Sequence, residues 1–373
     1  MKLSEFTDHK TRRESLEREL RTKLPTIDHA LVDDTNSIHC ENLIGATSIP
    51  LGVAGPLDVI GDEVRRPAYV PLATTEGALV ASVSRGCKAL NEAGGARVNV
   101  YKTGTTRGPV FYTESVAHGQ EFLDWAQEHV DEIVKEVEKT SSHILLTNLE
   151  AKLIGSYAYL RLYFDTSDAM GMNMVTIATQ AVIDYVEKNT KVRSIAIAGN
   201  FDVDKKAAWL NSIYGRGFQG WADVVIPENT LKKTLKASAE QIFDVWLAKC
   251  MIGSAISGSM GFNAQFANVV AAIFAATGQD LAHVVEGSLG ITTMKVINGK
   301  NLYVSVYLPS LMVGTVGGGT QLTSKKEALS IMGVKSVAEL AEIITGAVLA
   351  GEVSLLASLA EGSLAKAHEK LGR

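Results

Sequence analysis

"GNFDVDKKAAW", residues 199–209, sets Asp204, Lys205 and Lys206 side by side directly after the apolar run "VRSIAIAG". Two adjacent ammonium groups raise the local positive potential, and each discourages full protonation of the other. One can then bind a carboxylate while its neighbour stabilises a developing oxyanion. Taken alone, the tripeptide is more often a solvated loop; its place at a strand end raises the share of the chemical reading. "TTEGALVASVSRGCKAL" puts Glu76 at a helix start and spaces Ser82, Arg85 and Lys88 three apart, on one broad helix face. Such a face suits phosphate. It also suits the polar outside of a helix, with Glu76 favouring the dipole.

Four further stretches carry usable groups. "GTVGGGT" (314–320) can wrap phosphate with backbone amides, or turn tightly between buried elements. It lacks both the GK[ST] ending of a P-loop and the GxGxxG spacing of a Rossmann turn. "NVVAAIFAATGQD" ends in Asp280 after a nearly all-apolar helix, where a carboxylate either caps something or sits in a pocket with a raised pKa. "AKAHEKLGR" carries His368, either an ordinary surface histidine or a general acid on a mobile tail. "SDAMGMNM" (167–174) combines soft apolar side chains, a carboxylate and the bare backbone of Gly171. None of the eight histidines pairs with Cys or a carboxylate at metal-ligand spacing, so no metal is expected. HExxH and GxSxG are absent, which removes the metallohydrolase and serine-hydrolase readings.

The elements that must position these groups fall into blocks. Residues 11–23 predict a charged amphipathic helix, an exposed arm or partner-contacting segment. In "ENLIGATSIPLGVAGPL" (41–57) Gly and Pro break any regular element. Residues 72–95 predict a helix capped by Thr74 or Thr75 and stopped by Gly94-Gly95. Residues 109–197 alternate as β–α–β–β–α–β, the order of a ferredoxin-like plait. From 198 on, Gly, Ala and Ser dominate, and close helix packing is expected. The fold class is therefore α+β: a large helix-rich domain (41–108 and 198–373) with an inserted βαββαβ domain (109–197), preceded by a helical segment (1–40).

At 373 residues the chain exceeds the usual single-domain size, with 46% apolar and 21% charged residues. A formal charge of −5 gives no general reason to bind nucleic acid or an anionic membrane. Three scattered cysteines without a CxxC pair fit a reducing cytosol. The start of the chain is too charged for a signal peptide. The apolar stretch 343–362 is interrupted by Glu352 and rich in small residues, so it predicts a buried helix rather than a membrane span. A cytoplasmic protein is expected.

In combination and order, "ENLIGATSIPLGVAGPL", "TTEGALVAS", "DAMGMNM", "DKK", "ATGQD", "GTVGGGT" and a late His resemble the 3-hydroxy-3-methylglutaryl-CoA (HMG-CoA) reductase family. The resemblance covers most of the chain and points to the class shared by eukaryotes and archaea. It implies a four-electron reduction of HMG-CoA to mevalonate and CoA with two NADPH (NADH being the alternative), in isoprenoid biosynthesis. It implies that Lys205 stabilises the oxyanion, Glu76, kept protonated, donates a proton, Asp280 tunes both, and His368 protonates the CoA thiolate. Arg107, Asp204, Lys206 and Lys249 would hold the acyl group and its carboxylate, with Asn268 supporting the lysine. Ser82, Arg85 and Lys88 would lie along the CoA phosphates. Asp168 and the turn Gly171, Met172, Asn173 and Met174 would receive the dinucleotide, helped by Gly317 and Gly318. A homodimer or homotetramer with its active site at a subunit interface is implied too. Ala198, Gln265 and Ser142 depart from family positions, the first two near the acyl group and the third near the cofactor phosphates. A reductase of another acyl-CoA, or a non-catalytic CoA- or nucleotide-binding protein, are the alternatives.

Overall fold

The computed structural model describes residues 9–24 and 48–362. His368 and Cys40 lie outside them. Among the described residues ten strands run in chain order: β1 (Leu51–Ile60), β2 (Arg65–Ala73), β3 (Ala96–Arg107), β4 (Val110–Tyr112), β5 (Leu145–Ile154), β6 (Tyr157–Asp165), β7 (Arg193–Ala196), β8 (Gly217–Ile226), β9 (Ile291–Ile297) and β10 (Asn301–Leu311). The longer helices are α1 (His9–Leu20), α2 (Leu79–Glu92), α3 (Val116–Glu128), α4 (Val130–Glu138) and α5 (Met172–Asn189). Short α6 (Trp209–Tyr214) and α7 (Glu228–Thr230) precede α8 (Ala239–Trp246), and α9 (Ser254–Ser257) precedes α10 (Phe266–Thr277). After them come α11 (Val284–Gly287), α12 (Thr323–Met332) and α13 (Val337–Glu361).

The large half is built on a sheet that the composition hid. β3, β8, β10 and β9 pair antiparallel in that order, and β1 joins β3 in parallel at Val59 and Ile60. β10 alternates buried and half-buried side chains, as a strand with one covered face must. Gly55-Pro56 does not end β1: the register to β2 shifts between Ala54 and Leu57, so a bulge absorbs both residues. The expectation of an irregular segment therefore fails over 51–57.

α13 is the axis of the core. By length and composition it could cross a membrane, yet 78% of its most apolar window is buried inside the protein. Its two interior carboxylates are satisfied. Glu342 accepts from the N–H groups of Asp62, Glu63 and Val64, at 3.0, 3.1 and 2.8 Å. Glu352 accepts from Ala264 N, Gln265 N and Thr292 Oγ1. Small residues permit the close helix packing expected: a Cβ on Gly86 of α2 would stand 1.9 Å from Ala350 O.

A second core, including Phe111, Phe122, Ile133, Leu160 and Val182, fills the plait. Its strands run β7-β4-β6-β5 with antiparallel neighbours, the order of a ferredoxin-like sheet. Two details differ from the sequence reading. The first helix is broken at His129 into α3 and α4. The end of β3 also pairs with β6, Arg107 opposite Leu162, which joins both halves into one sheet. α1 is not an exposed arm, since Leu16 and Leu24 are buried against Tyr69 and Ile331.

Candidate active site

The lysine loop follows β7 and bends through three non-glycine residues in the left-handed region: Asn200 (φ 65°), Val203 (52°) and Lys205 (56°). Each costs roughly 1–3 kcal/mol and persists only where surrounding contacts over-determine it. Those contacts come from three distant segments. Thr106 Oγ1 donates to Asp202 O (2.8 Å), Arg161 Nη1 to Phe201 O (2.8 Å), and Asn211 Nδ2 to Val203 O (3.2 Å). Lys205 Nζ is thereby held 2.7 Å from Asp280 Oδ2, both side chains about a third exposed. Asp280 itself follows α10 and caps the 3-10 turn Leu281–His283 through Ala282 N.

A buried charge network stands behind this pair. Lys205 N donates to Glu286 Oε1 (3.3 Å), which also meets Arg216 Nη1 at 2.6 Å and His283 Nδ1 at 2.7 Å. Arg216 Nη2 pairs with Asp204 Oδ1 (3.0 Å), and Arg107 Nη1 with Asp204 Oδ2 (3.3 Å) and Asp202 Oδ2 (3.5 Å). Asp204, His283 and Glu286 bring ligand-type atoms within 4.8 Å of one another, but the Arg216 guanidinium already holds both carboxylates. Burial alone would raise the Asp280 carboxyl. Lys205, the Ala282 N–H and His283 outweigh burial and hold it below the ordinary value. For Asp202 burial wins over Arg107 and Arg216, and the carboxyl is pushed up.

Glu76, Asn268 and Lys249 occupy the opposite end of α10. Asn268 Nδ2 donates to Glu76 Oε1 at 3.1 Å. Helical rise from Asn268 to Thr277 is about 14 Å, and among the described residues no contact joins Glu76 to Lys205. α2 begins at Leu79 after Ala78, left-handed at φ 72°, with no side-chain cap; Thr74 Oγ1 accepts from Glu76 N instead. The expected Thr cap is thus corrected. Lys249 is exposed in the π-turn Leu247–Gly253 and acts electrostatically on Glu352, whose carboxyl burial pushes up. Gln265 turns its amide into α13, onto Gly351 O at 2.5 Å.

The phosphate-lining face expected on α2 packs against α13. Ser82 Oγ donates to Ser354 Oγ (3.0 Å), and Arg85 reaches Ser354, Ser358 and Glu361. These polar atoms tie α2 to α13. Lys88 is exposed and lies 3.7 Å from Glu92.

"DAMGMNM" and "GTVGGGT" do meet. Ala169 bridges to Val316, Asp168 O accepts from Thr315 N (2.9 Å), and a Cβ on Gly314 would stand 2.5 Å from Met170 N. Gly171 (φ 85°) starts α5 without a side-chain cap, leaving the first N–H groups of an 18-residue helix open to an anion. Asn173 is exposed and Met174 packs on the plait core. Gly317 and Gly318 have positive φ and nothing within 4 Å of an added Cβ, an open cradle. Asp168 Oδ1 accepts from Val337 N (2.8 Å) and anchors the start of α13. Lys206 is exposed beside Lys205.

Sequence reasoning missed Arg216, His283, Glu286 and Thr176. Thr176 Oγ1 accepts from Arg107 Nε and Nη2 and so ties α5 to the lysine loop. Met172 Sδ lies 3.2 Å from Arg216 Nη2 and makes a second tie. The His283-x-x-Glu286 spacing, which brings two side chains to one helix face, was the available signal.

A family model for hydroxymethylglutaryl-coenzyme A reductase matches residues 8–373. The 3-hydroxy-3-methylglutaryl-coenzyme A reductase of Methanothermobacter thermautotrophicus is 47% identical over 97% of this chain and 92% of its own. That of Halobacterium salinarum is 48% identical over 89% of this chain and 84% of its own. In fold, the chain resembles the NADPH-bound class II reductase of Streptococcus pneumoniae, with a TM-score of 0.78 at 20% identity, covering 96% of this chain and 98% of that one. The chain belongs to the hydroxymethylglutaryl-coenzyme A reductase family.

Proposed function

We propose that this protein reduces HMG-CoA to mevalonate and CoA with two NADPH, as a class I enzyme in the cytoplasm, within isoprenoid biosynthesis. The observation that carries the chemistry is the 2.7 Å pair of Lys205 and Asp280 on a strained, buttressed loop. Identities of 46–48% to seven archaeal reductases, against 20% to the class II structure, support the class. The described cysteines, Cys87 and Cys250, are buried free thiols, in keeping with a reducing compartment.

The uncapped start of α5 and the open Gly317-Gly318 turn fit a dinucleotide's phosphates, with Met172 and Asn173 beside them. When bound, the dinucleotide supplies hydride to the thioester carbon and then to the aldehyde carbon. Lys205 donates to the substrate oxygen as negative charge grows there, and Asp280 fixes the direction of that ammonium. A donor of this kind lowers the barrier by roughly 3 kcal/mol. Arg107, Asp204 and Lys206 border the same end and suit the substrate's free carboxylate. Glu76 protonates the product oxygen, and His368 protonates the departing thiolate. With Gln265 turned into α13, no observation favours a different acyl group.

The Lys205 and Glu76 ends of α10 are remote within one chain, so each site draws its two halves from two subunits of a dimer. Leu247, Ile252 and Ile256, near Lys249 in the chain, are exposed and offer apolar contact area. Co-expressing Lys205→Ala with Glu76→Gln tests this. Each variant alone is inactive, and random pairing restores roughly a quarter of wild-type NADPH oxidation, because half the dimers hold one intact site of two. Absence of any recovery in verified mixed dimers would place both groups on one chain.

A further inference from the structure

Gln279 stands between Gly278, the left-handed residue that ends α10, and Asp280. Its side chain is buried, and both polar atoms of the carboxamide are used. Oε1 accepts from Gly314 N at 2.9 Å, and Nε2 donates to Gly314 O at 3.0 Å. The other Nε2 proton is shared between Thr277 O and Thr277 Oγ1, each at 3.3 Å. The amide thus reproduces the two-bond pairing of opposed residues in antiparallel strands. Two bonds to one residue fix its orientation as well as its place, which a single bond cannot do. Gly314 is itself buried and pressed on the turn that opens α5, where an added Cβ would stand 2.5 Å from Met170 N. Gly319, at the far side of the same loop, meets Gly278: a Cβ on Gly278 would stand 2.4 Å from Gly319 O. The open Gly317-Gly318 turn is therefore pinned on both sides to residues 278–280, the last of which holds Lys205 Nζ.

We propose that Gln279 is a positioning residue for the dinucleotide: its amide holds the 314–319 loop, and through Gly314 the start of α5, in register with the Lys205–Asp280 pair. The role rests on the reductase reading above. Being buried, Gln279 acts through the backbone of Gly314 and not by its own contact with a ligand. Without the amide, Gly314 N–H and C=O are left unpaired in the interior, which costs free energy. The loop then shifts to find other partners, and the phosphate cradle moves with it. The substrate side, held by Arg107, Asp204 and Lys206, does not depend on this amide.

The experiment is an equilibrium titration with NADPH and, separately, with CoA, for the full-length wild type, Gln279→Met and Thr277→Val, alongside melting temperatures and KM for HMG-CoA. Met keeps the length of Gln and removes both bonds to Gly314. Thr277→Val disturbs the same buried spot and leaves the Gly314 pair intact. Gln279→Met is expected to weaken NADPH binding about tenfold or more, with CoA binding and KM for HMG-CoA within about twofold of wild type. Thr277→Val should leave both affinities near wild type even where its melting temperature falls. A general loosening of the fold would weaken NADPH and CoA alike. Unchanged NADPH affinity in Gln279→Met, an equal loss for CoA, or an equal loss in Thr277→Val overturns the proposal. Should Gln279→Met not fold, Gln279→Asn, one methylene shorter, withdraws the amide from Gly314 and must show the same split. A wild type that binds NADPH without reducing HMG-CoA sinks the reductase reading alone; an active wild type whose variants show no split sinks the Gln279 role alone.

Discussion

The two ends of α10 are built on opposite plans. At its C-terminal end Lys205 and Asp280 rest on fully buried Arg216, Glu286 and His283, and each charge faces another at 2.6 to 3.7 Å. At its N-terminal end Glu76 is exposed, joined to Asn268 by one hydrogen bond, with Lys249 exposed nearby. One end is preorganised by its own chain; the other stands ready and unfinished. We read the contrast as two kinds of support for the groups proposed above to be catalytic: interior electrostatics for the lysine, and the proposed assembly for the glutamate.

The contrast can be broken most violently from within. Arg216→Met strands Glu286 and Asp204 without their guanidinium and should cost about 3–5 kcal/mol of folding stability in urea titrations. Glu76→Gln, on the exposed end, should stay within about 0.5 kcal/mol of wild type; equal losses would erase the distinction. Next in size, Lys205→Ala should reduce kcat at least about a hundredfold, the value of one oxyanion donor, with NADPH affinity retained. A tenfold loss or less would remove Lys205 from the oxyanion role. The smallest effect is acid sensitivity. Asp280 has a folded pKa below its ordinary 3.8, so its stabilising contribution is present above that value and fades as pH falls through the lower folded one. Unfolding curves between pH 2.5 and 5 should therefore be flatter for Asp280→Asn. The difference should be slight, since Asp280 is a third exposed.

Much of the plait was legible, because its strands and helices keep their own periodicities over full-length elements. The large sheet was not. β1 hides its strand behind Gly55-Pro56, and β8 to β10 lie in a region rich in Gly and Ala, both depleted in strands, where tertiary pairing overrides local propensity. At the site, Lys205 and Asp280 lie together, while Glu76, which the family resemblance sets on the other side of Asp280, bonds to Asn268 instead. Arg216 and Glu286 escaped notice because a sequence cannot tell a buried charge from a solvated one; only the fold reveals that their surroundings are apolar. Ser82 and Arg85 show the same limit from another side: three-residue spacing gave one helix face, and only the fold reveals that this face meets α13.

The lysine loop borrows its shape from elsewhere. Arg161 of β6, Thr106 of β3 and Asn211 of α6 each grip one of its carbonyls, and its own backbone prefers another course. Gentle heating that merely loosens the plait would let go of Phe201 O and allow the turn to relax, while most helices and strands stay intact. Heat inactivation of this enzyme should then run several degrees ahead of its loss of circular dichroism, and gripping the loop more tightly from the plait side is the way to close that gap.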